Sequence, residues 1–344
     1  VEYITIYLYV DDTIISYAKV IESQWISDFA VIKSKYKLKD LGDCAWILNM
    51  KVIRDRTTGT ITLSQQAYVH QVLINQGIDI DTVRTVDNPC DPSLTTTVTH
   101  IELLDSKQHG TFRSLIGAFS WLAQMTRIDI AYAVNSLSRY LATPTMQHLN
   151  AAKRLLRYLA GTSHYSLVFN RNSEVTTSVV TEKQKSLVDQ YSIVAYTDAS
   201  WGNDLQTRKS YSGTIIKNNG DTIQFKSERQ DAVALSSTEA EYYALATTIC
   251  DALWIQTWKT EVYGIKQPIL VLCDNQSAIA LTSHDSFHQR SKHIDIKFHF
   301  IRDHIKNKNI IVKWLPTAKQ EADILTKAMV TKQFNLLVSK NLLI

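Results

Sequence analysis

The hydrophobic and polar positions of the first 78 residues combine β-rich runs with stretches at helical spacing. The elements predicted there are a β-hairpin with strands at 3–9 and 13–18, a helix at 21–38, strands at 45–53 and 60–63, and a helix at 64–76. Residues 79–109 are polar and contain Pro89, Pro92 and a run of threonines. This composition predicts a linker.

The pattern changes twice more along the chain. Apolar residues at helical spacing predict helices at 110–125, 128–142 and 145–160. A polar segment without a clear period, 171–190, predicts a second linker. From residue 191 onward, strands and helices alternate in the order three strands, helix, strand, two helices, strand, helix. Ser236 to Thr238 offer N-caps for a long helix, and the last helix is predicted at 319–329.

These patterns predict a multidomain protein of the α/β and α+β classes, with a mixed five-stranded sheet and helices in its C-terminal part. The predicted division is a first unit at 1–78, a linker at 79–109, a helical unit at 110–170, a linker at 171–190, an α/β domain at 191–330 and a C-terminal tail at 331–344.

Composition narrows the class of protein. Hydrophobic residues make up 45% and charged residues 20%, as in ordinary globular proteins. The chain has no run of about 18 apolar residues, so no transmembrane helix is predicted, and its start does not resemble a signal peptide. None of the four cysteines lies in a C-x-x-C pair, which favours reduced thiols in a cytosolic or nuclear protein that is not secreted.

The charge distribution adds a candidate nucleic-acid surface. The net charge is only +4, but residues 286–313 contain seven Lys or Arg against two Asp. Such a stripe suits a phosphate backbone. On charge alone, a solvated helix face explains it equally well.

Carboxylates occupy chemically suggestive places in the α/β domain. Asp198 ends its first strand, Asp274 ends its fourth strand, Glu239 lies in the first turn of the long helix, and Asp323 lies early in the last helix. If the first and fourth strands are neighbours, Asp198 and Asp274 stand side by side at one sheet edge. Crowded carboxylates need neutralisation, and Mg²⁺ prefers oxygen ligands. Two such ions can hydrolyse a phosphodiester.

Several strings of this sequence resemble the C-terminal part of copia-type LTR retrotransposon Pol polyproteins. The ribonuclease H part is matched by Tyr196-Thr197-Asp198-Ala199-Ser200-Trp201-Gly202, Leu235-Ser236-Ser237-Thr238-Glu239-Ala240-Glu241-Tyr242, Cys273-Asp274-Asn275-Gln276 and Ala322-Asp323-Ile324-Leu325-Thr326-Lys327. Upstream, Tyr9-Val10-Asp11-Asp12 is similar to the Y-x-D-D hairpin of reverse transcriptases, and Ser138-Arg139-Tyr140-Leu141 fits the same polyprotein. The resemblance covers about residues 3–330.

The resemblance implies a partial reverse transcriptase palm at 1–78, a helical thumb and connection at 110–170, and a ribonuclease H domain at 191–330. It implies that the RNA strand of an RNA–DNA hybrid is hydrolysed with two Mg²⁺ ions, for which Mn²⁺ can substitute. The partners implied are the hybrid and the remaining Pol segments, with no membrane and with dimerisation left open. The implied location is a cytoplasmic virus-like particle with access to the nucleus.

Carried over residue by residue, the resemblance also implies site residues. Asp198, Glu239, Asp274 and Asp323 are expected to be catalytic and to hold the two metals, and Asp11 and Asp12 are expected to be metal ligands of a polymerase remnant. The residues expected to contact nucleic acid are Ser200, Arg208, Lys209, Ser212, Asn275, Gln276, Arg290, Lys292 and His293.

Two departures from the family bear on function. A polymerase site also needs an Asp from an earlier palm strand, and only eight residues precede Tyr9, so we expect no DNA synthesis by this chain alone. No His lies between Trp314 and Asp323, where related nucleases often carry one.

Glu241 also matches the family string. Residues two apart face different directions on a helix, so the two glutamates cannot serve equally. We favour Glu239, because the resemblance implies that the metal ligand follows a Thr, as Glu239 follows Thr238.

Other nucleases and recombinases share this kind of sheet, and the order of their acidic residues distinguishes them. Integrases use Asp, Asp and then Glu, and here Glu239 precedes Asp274. Proofreading exonucleases need Asp-x-Glu on the first strand, but Ser200 lies two positions after Asp198. A catalytically silent retrotransposon relic, which folds and binds nucleic acid without cutting it, stays open as the alternative.

Overall fold

The N-terminal segment forms a hairpin followed by a helix. A computed structural model describes residues 3–90, 102–170, 191–283 and 292–342, except for the side chains of residues 283, 292–296 and 298. Strands β1 (Thr5–Tyr9) and β2 (Asp12–Ser16) pair antiparallel, with Tyr9 opposite Asp12, and α1 spans Glu22–Lys35. Val10 takes a left-handed φ of 52°, which a two-residue hairpin turn requires. The hairpin prediction is confirmed.

A four-stranded antiparallel sheet joins two regions that the sequence pattern separates. Its strands are β3 (Trp46–Ile47), β4 (Met50–Asp55), β5 (Thr60–Ser64) and β6 (Leu167–Asn170), in that spatial order. Helix α2 (Gln66–Asn75) follows β5 in the chain. Because β6 comes after the helical segment and pairs with β5, the segments around residues 60 and 170 belong to one sheet.

Three helices make up the middle of the chain, as the spacing of apolar residues predicts. They are α3 (Ser106–Met125), α4 (Ala131–Ser138) and α5 (Met146–Gly161). A buried ion pair between Arg127 and Asp129, 2.7 Å long, lies at the break between α3 and α4. The Tyr158 hydroxyl donates to Asp129 Oδ2 at 2.7 Å, which ties α5 to the same break. A charge pair without exposure to water needs such additional hydrogen bonds.

A mixed five-stranded sheet forms the C-terminal part. Its strands are β7 (Ile193–Ser200), β8 (Tyr211–Asn218), β9 (Asp221–Arg229), β10 (Ile269–Cys273) and β11 (Ile310–Trp314), in the spatial order β11-β10-β7-β8-β9. Strand β10 runs parallel to both β7 and β11, whereas β7, β8 and β9 are antiparallel. The predicted neighbours, the first and fourth strands of this domain, are therefore adjacent.

Helices cover both faces of this sheet. The elements α6 (Ser237–Tyr263), α7 (Gln276–Ser283) and α8 (Lys292–Lys306) follow the strands in the chain. Ile193 and Ala195 pack against α6, whereas Val194 and Tyr196 belong to a second core that also contains the buried residues of α3, α4 and α5. The middle helices and the sheet thus share one hydrophobic core. No helix in the described ranges is long and apolar enough to span a bilayer.

The end of the chain differs from the sequence-based expectation. The helix predicted at 319–329 is wrong, because Thr317–Lys319 and Glu321–Leu325 form two 3₁₀ turns instead. The Gln320 side chain breaks the helix: its Oε1 accepts from Ala322 N–H at 3.2 Å, and its Nε2 donates to the Thr197 carbonyl at 2.9 Å. The segment predicted as a tail contains helix α9 (Thr331–Ser339), which buries its apolar face in the shared core.

Candidate active site

Asp198 lies near the carboxyl end of the central strand β7 and is 3% exposed. The Thr326 hydroxyl donates a 2.5 Å hydrogen bond to Asp198 Oδ2. Burial and the nearby charge of Asp323 raise the pKa of Asp198 to about 7, against the lowering effect of Lys327 and Thr326. Burial and a nearby negative charge both disfavour the charged form of a carboxyl group. An ionised Asp198 therefore calls for a compensating cation.

Asp274 directly follows β10, beside β7 in the sheet. The Thr317 hydroxyl donates to Asp274 Oδ2 at 2.7 Å, and Trp314 Nε1 donates to the Asp274 carbonyl at 3.1 Å. Burial raises the pKa of Asp274, and the charge of Asp198 raises it further, while the Thr317 hydrogen bond lowers it. The condition under which the sequence places Asp198 and Asp274 side by side is met, because β7 and β10 pair in parallel.

Asp323 reaches the same edge from the second 3₁₀ turn. Its Oδ1 accepts a 2.8 Å hydrogen bond from Lys327 Nζ. The turn approaches β8 closely because residue 213 is a glycine: a Cβ there would lie 2.7 Å from the Ala322 carbonyl oxygen. Burial raises the pKa of Asp323, although Lys327 opposes the shift.

The structure corrects the choice between the two glutamates. Glu239 Oε2 accepts from Leu235 N–H at 2.7 Å, while Glu239 N–H donates to Ser236 Oγ at 3.1 Å. The Ser236 hydroxyl thus caps the N-terminus of α6, and the Glu239 carboxylate binds the backbone N–H of the residue before the cap. Glu239 thus serves the helix terminus. The S-x-x-E string from Ser236 to Glu239 is a sequence signal that already indicates this role.

Glu241 takes the place that the sequence assigned to Glu239. It is buried, 7% exposed, and its pKa is raised to about 9. Burial is the largest cause, followed by the charges of Asp198 and Asp274, and Asp323 adds a smaller contribution. The four interacting carboxyl groups are therefore Asp198, Glu241, Asp274 and Asp323.

A cysteine that sequence reasoning did not select lies in this cluster. Ligand atoms of Glu241, Cys273 and Asp274 all lie within 4.8 Å of one another, the one group of three metal-ligating residues found in the described part of the chain. Burial and the Glu241 charge raise the pKa of the Cys273 thiol. The thiol therefore stays protonated, and the carboxylates are the better ligands for a hard cation.

Lys327 is the cation seen to interact with several of these carboxylates. Burial lowers the pKa of its ammonium group, but the charges of Asp198, Asp323 and Asp274 raise it above its ordinary value. One lysine cannot balance four carboxylates. The residual repulsion, expressed in the raised pKa values, fits a site built for divalent cations.

The residues expected to contact nucleic acid fall into different places. Ser200 is half-buried at the end of β7, Arg208 is exposed and Lys209 is half-buried on the loop before β8. Ser212 is buried and accepts from Gln230 Nε2 at 2.9 Å, so it belongs to the packing of the sheet.

The remaining ones lie beyond β10. Asn275 Oδ1 accepts from Ala278 N–H at 2.9 Å and so caps α7, while Gln276 is exposed. Arg290 lies outside the described residues, as do the side chains of Lys292 and His293, where α8 begins.

Asp11 and Asp12 are exposed on the N-terminal hairpin. Among the described residues, no third metal-ligating side chain joins them. The Tyr7 and Tyr263 hydroxyls lie 3.2 Å apart, which brings this hairpin against the end of α6.

The sequence is similar to curated proteins over most of its length. The chain is 32% identical over 339 residues to the retrovirus-related Pol polyprotein from transposon TNT 1-94 of Nicotiana tabacum, a match that covers 97% of this chain and 24% of that protein. It is 30% identical to the uncharacterised mitochondrial protein AtMg00810 of Arabidopsis thaliana, with 72% of this chain and 92% of that protein covered. No protein-family model matches the chain.

Solved structures of low sequence identity are also similar to parts of the chain. LC11-RNase H1, solved in complex with an RNA/DNA hybrid, is 19% identical, with a TM-score of 0.30, 39% of this chain covered and 93% of that chain. The chain spans about a quarter or less of the curated transposon Pol relatives that it matches, between 20% and 24%. With near-complete coverage of this chain by those relatives and the ordered carboxylate strings in place, the chain belongs to the family of retrovirus-related Pol polyproteins of copia-type transposons.

Proposed function

We propose that this chain hydrolyses the RNA strand of RNA–DNA hybrids with two divalent cations. The observation that carries the proposal is the convergence of Asp198, Glu241, Asp274 and Asp323 on one sheet edge, from four different elements, with pKa values raised by burial and by one another. Stability alone does not favour such crowding, which is typical of functional sites.

The carboxylates fit the ion that this reaction needs. Asp198, Glu241, Asp274 and Asp323 would hold Mg²⁺, which prefers oxygen ligands. When bound, a pair of such ions supplies a nucleophilic hydroxide near neutral pH and stabilises the leaving oxygen. Protons that the cluster holds in the metal-free protein, first of all on Glu241, must leave when cations bind.

Neighbouring side chains hold the carboxylates in place. Thr326 donates to Asp198 and Thr317 donates to Asp274, and each hydroxyl fixes one carboxylate oxygen. Lys327 holds Asp323 from one side. Catalytic groups need this kind of support because small misplacements slow a reaction strongly.

The choice of substrate rests on the family. Copying of RNA into DNA by a Pol polyprotein leaves a hybrid whose RNA strand must be removed before the second DNA strand is made. Arg208 and Lys209 are the proposed contacts to the phosphate backbone, which is supported by their positions on the loop that follows β7. Polymerisation is not proposed for the described residues, because no third ligand joins Asp11 and Asp12 there.

The test is a cleavage assay with the full chain, because the middle helices and the sheet share one core. A labelled RNA–DNA hybrid is offered with Mg²⁺ beside RNA–RNA and DNA–DNA duplexes. We expect cleavage of only the RNA strand of the hybrid, and its loss in Asp198→Asn, which keeps the shape of the side chain. A folded wild-type protein that binds the hybrid without cutting it would contradict the proposal and favour the silent relic.

A further inference from the structure

A loop next to the proposed active site is held by a residue from outside the sheet. This 201–210 loop, residues 201–210 between β7 and β8, carries Arg208 and Lys209. Arg208 has a left-handed φ of 56°, which is unfavourable for a residue with a side chain. Its guanidinium lies over Gly202, with Nη2 3.3 Å from the position that a Cβ would occupy there. Something must stabilise this backbone conformation.

The Asp204 carboxylate stabilises it. Its Oδ1 accepts from the N–H groups of Gln206 at 3.0 Å and Thr207 at 3.3 Å, and its Oδ2 accepts from the Thr207 hydroxyl. Within the turn, Arg208 N–H donates to the Asp204 carbonyl. The Asp204 side chain thus fixes the turn that presents Arg208.

This carboxylate is fully buried and needs cations of its own. The side chain of Asp204 is 0% exposed and pairs with two arginines. Arg229 of β9 approaches Oδ2 at 3.0 Å and is partly open to solvent, whereas Arg139 approaches Oδ1 at 2.5 Å and is only 12% exposed. A buried carboxylate that loses a cationic partner is strongly destabilised.

Arg139 directly follows α4, in the segment of the middle helices, and two tyrosines hold its guanidinium. Its Nη1 donates to the Tyr211 hydroxyl at 3.1 Å, and its guanidinium lies 5.1 Å from the centroid of the Tyr140 ring. A second contact joins the same two regions: Asn203 Nδ2 donates to the Tyr132 hydroxyl at 3.1 Å and to the Thr326 carbonyl at 3.2 Å. Thr326 in turn holds Asp198.

We infer that Arg139 is a positioning residue of the nuclease, which holds the 201–210 loop through Asp204 so that Arg208 and Lys209 bind the sugar-phosphate backbone of the hybrid. Arg139 touches neither substrate nor metal in this scheme. It gives the Ser138-Arg139-Tyr140-Leu141 string a function in the ribonuclease H reaction, although it lies in the helical segment. The inference rests on the proposed function for its substrate.

The full-length variant Arg139→Met removes the ion pair with Asp204 and the hydrogen bond to the Tyr211 hydroxyl and keeps the apolar stem. For hybrid cleavage we expect KM to rise about tenfold with kcat within about twofold, because substrate grip is lost and the carboxylate cluster stays intact. Hydrogen exchange of the amides of residues 206–208 should become faster. Arg139→Lys keeps a positive charge and should recover part of the KM.

Arg157→Met is the matched control. Arg157 lies on α5 and donates to the Arg84 carbonyl at 2.6 Å, so its loss also removes a guanidinium contact of the middle helices, but one without a partner in the 201–210 loop. It should leave KM and loop exchange unchanged. If Arg139→Met does not fold, Arg139→Lys is measured in its place, since it loses the forked geometry of the guanidinium while keeping the charge.

Unchanged KM and unchanged exchange in a folded Arg139 variant would overturn the inference, as would an equal effect of Arg157→Met. Failure of the proposed function gives a different result. In that case the wild type does not cut the hybrid, while loop exchange and hybrid binding, measured by fluorescence anisotropy, still respond to Arg139→Met.

Discussion

Replacing Glu241 with Gln tests the central assignment of the candidate site. Glutamine keeps the size of the side chain but can neither ionise nor offer two anionic oxygens to a metal. Glu241 is 7% exposed, and Asp198 and Asp274 act on it electrostatically. The substitution therefore removes the carboxyl group whose ionisation burial and the neighbouring carboxyl groups disfavour most.

The structure sets the size and the sign of the effect on stability. The pKa of Glu241 is about 9 in the folded, metal-free protein against an ordinary 4.5, which corresponds to on the order of 6 kcal/mol as an upper limit. Between these pH values the unfolded carboxyl group is ionised while the folded one keeps its proton, so stability falls as pH rises. Because the carboxyl groups of the cluster interact, the effect is distributed among them and the gain is smaller than this limit. We expect Glu241→Gln to raise the free energy of unfolding by about 2 kcal/mol at high pH.

The assay pairs activity with stability. Cleavage of the labelled hybrid with saturating Mg²⁺ should fall by at least about 100-fold in Glu241→Gln. In a chelating buffer the same variant should unfold at a higher temperature than the wild type at pH 8.5, and the difference should shrink towards pH 5.5. Glu239→Gln is the matched control, because the Gln amide oxygen can still accept from Leu235 N–H and the variant should leave both measurements nearly unchanged.

The opposite pattern would refute the assignment. If Glu239→Gln abolished cleavage and Glu241→Gln did not, the metal ligand would be the residue at the helix terminus. If Glu241→Gln showed no gain in stability at high pH in the absence of metal, burial and the neighbouring carboxyl groups would not disfavour the ionised form of Glu241.

Two further outcomes are expected. Gly213→Ala places a Cβ 2.7 Å from the Ala322 carbonyl oxygen and 2.8 Å from Thr326 Cγ2, so it should displace the turn that carries Asp323 and lower the free energy of unfolding by about 2 kcal/mol with loss of cleavage; a melting curve indistinguishable from wild type would count against this close packing. The Mg²⁺ concentration for half-maximal binding should rise as pH falls from 9 to 6, because protons held by Glu241, with a pKa of about 9, compete with the ion; a pH-independent affinity by titration calorimetry would speak against it.

Much of the site follows from local sequence rules. Asp198 and Asp274 end apolar β-rich runs, and the carboxyl ends of adjacent parallel strands meet at one sheet edge. The preference for Glu239 over Glu241 followed the neighbouring Thr238, whereas in the structure Glu239 binds Leu235 N–H and Glu241 interacts with Asp198 and Asp274. The predicted last helix was also wrong, since Gln320 binds the Thr197 carbonyl and a tertiary contact prevailed over local propensity.

The sequence by itself determined the order of strands and helices from β7 to β11, the hairpin with Asp11 and Asp12, and the positions of Asp198 and Asp274 at strand ends, because these depend on spacing along the chain. Tertiary structure alone decided that Glu241 faces the site, that the middle helices and the sheet share a core, and that Arg139 pairs with Asp204. Those contacts join residues far apart in the chain, and their energies come from burial and from charges brought together only when the chain folds.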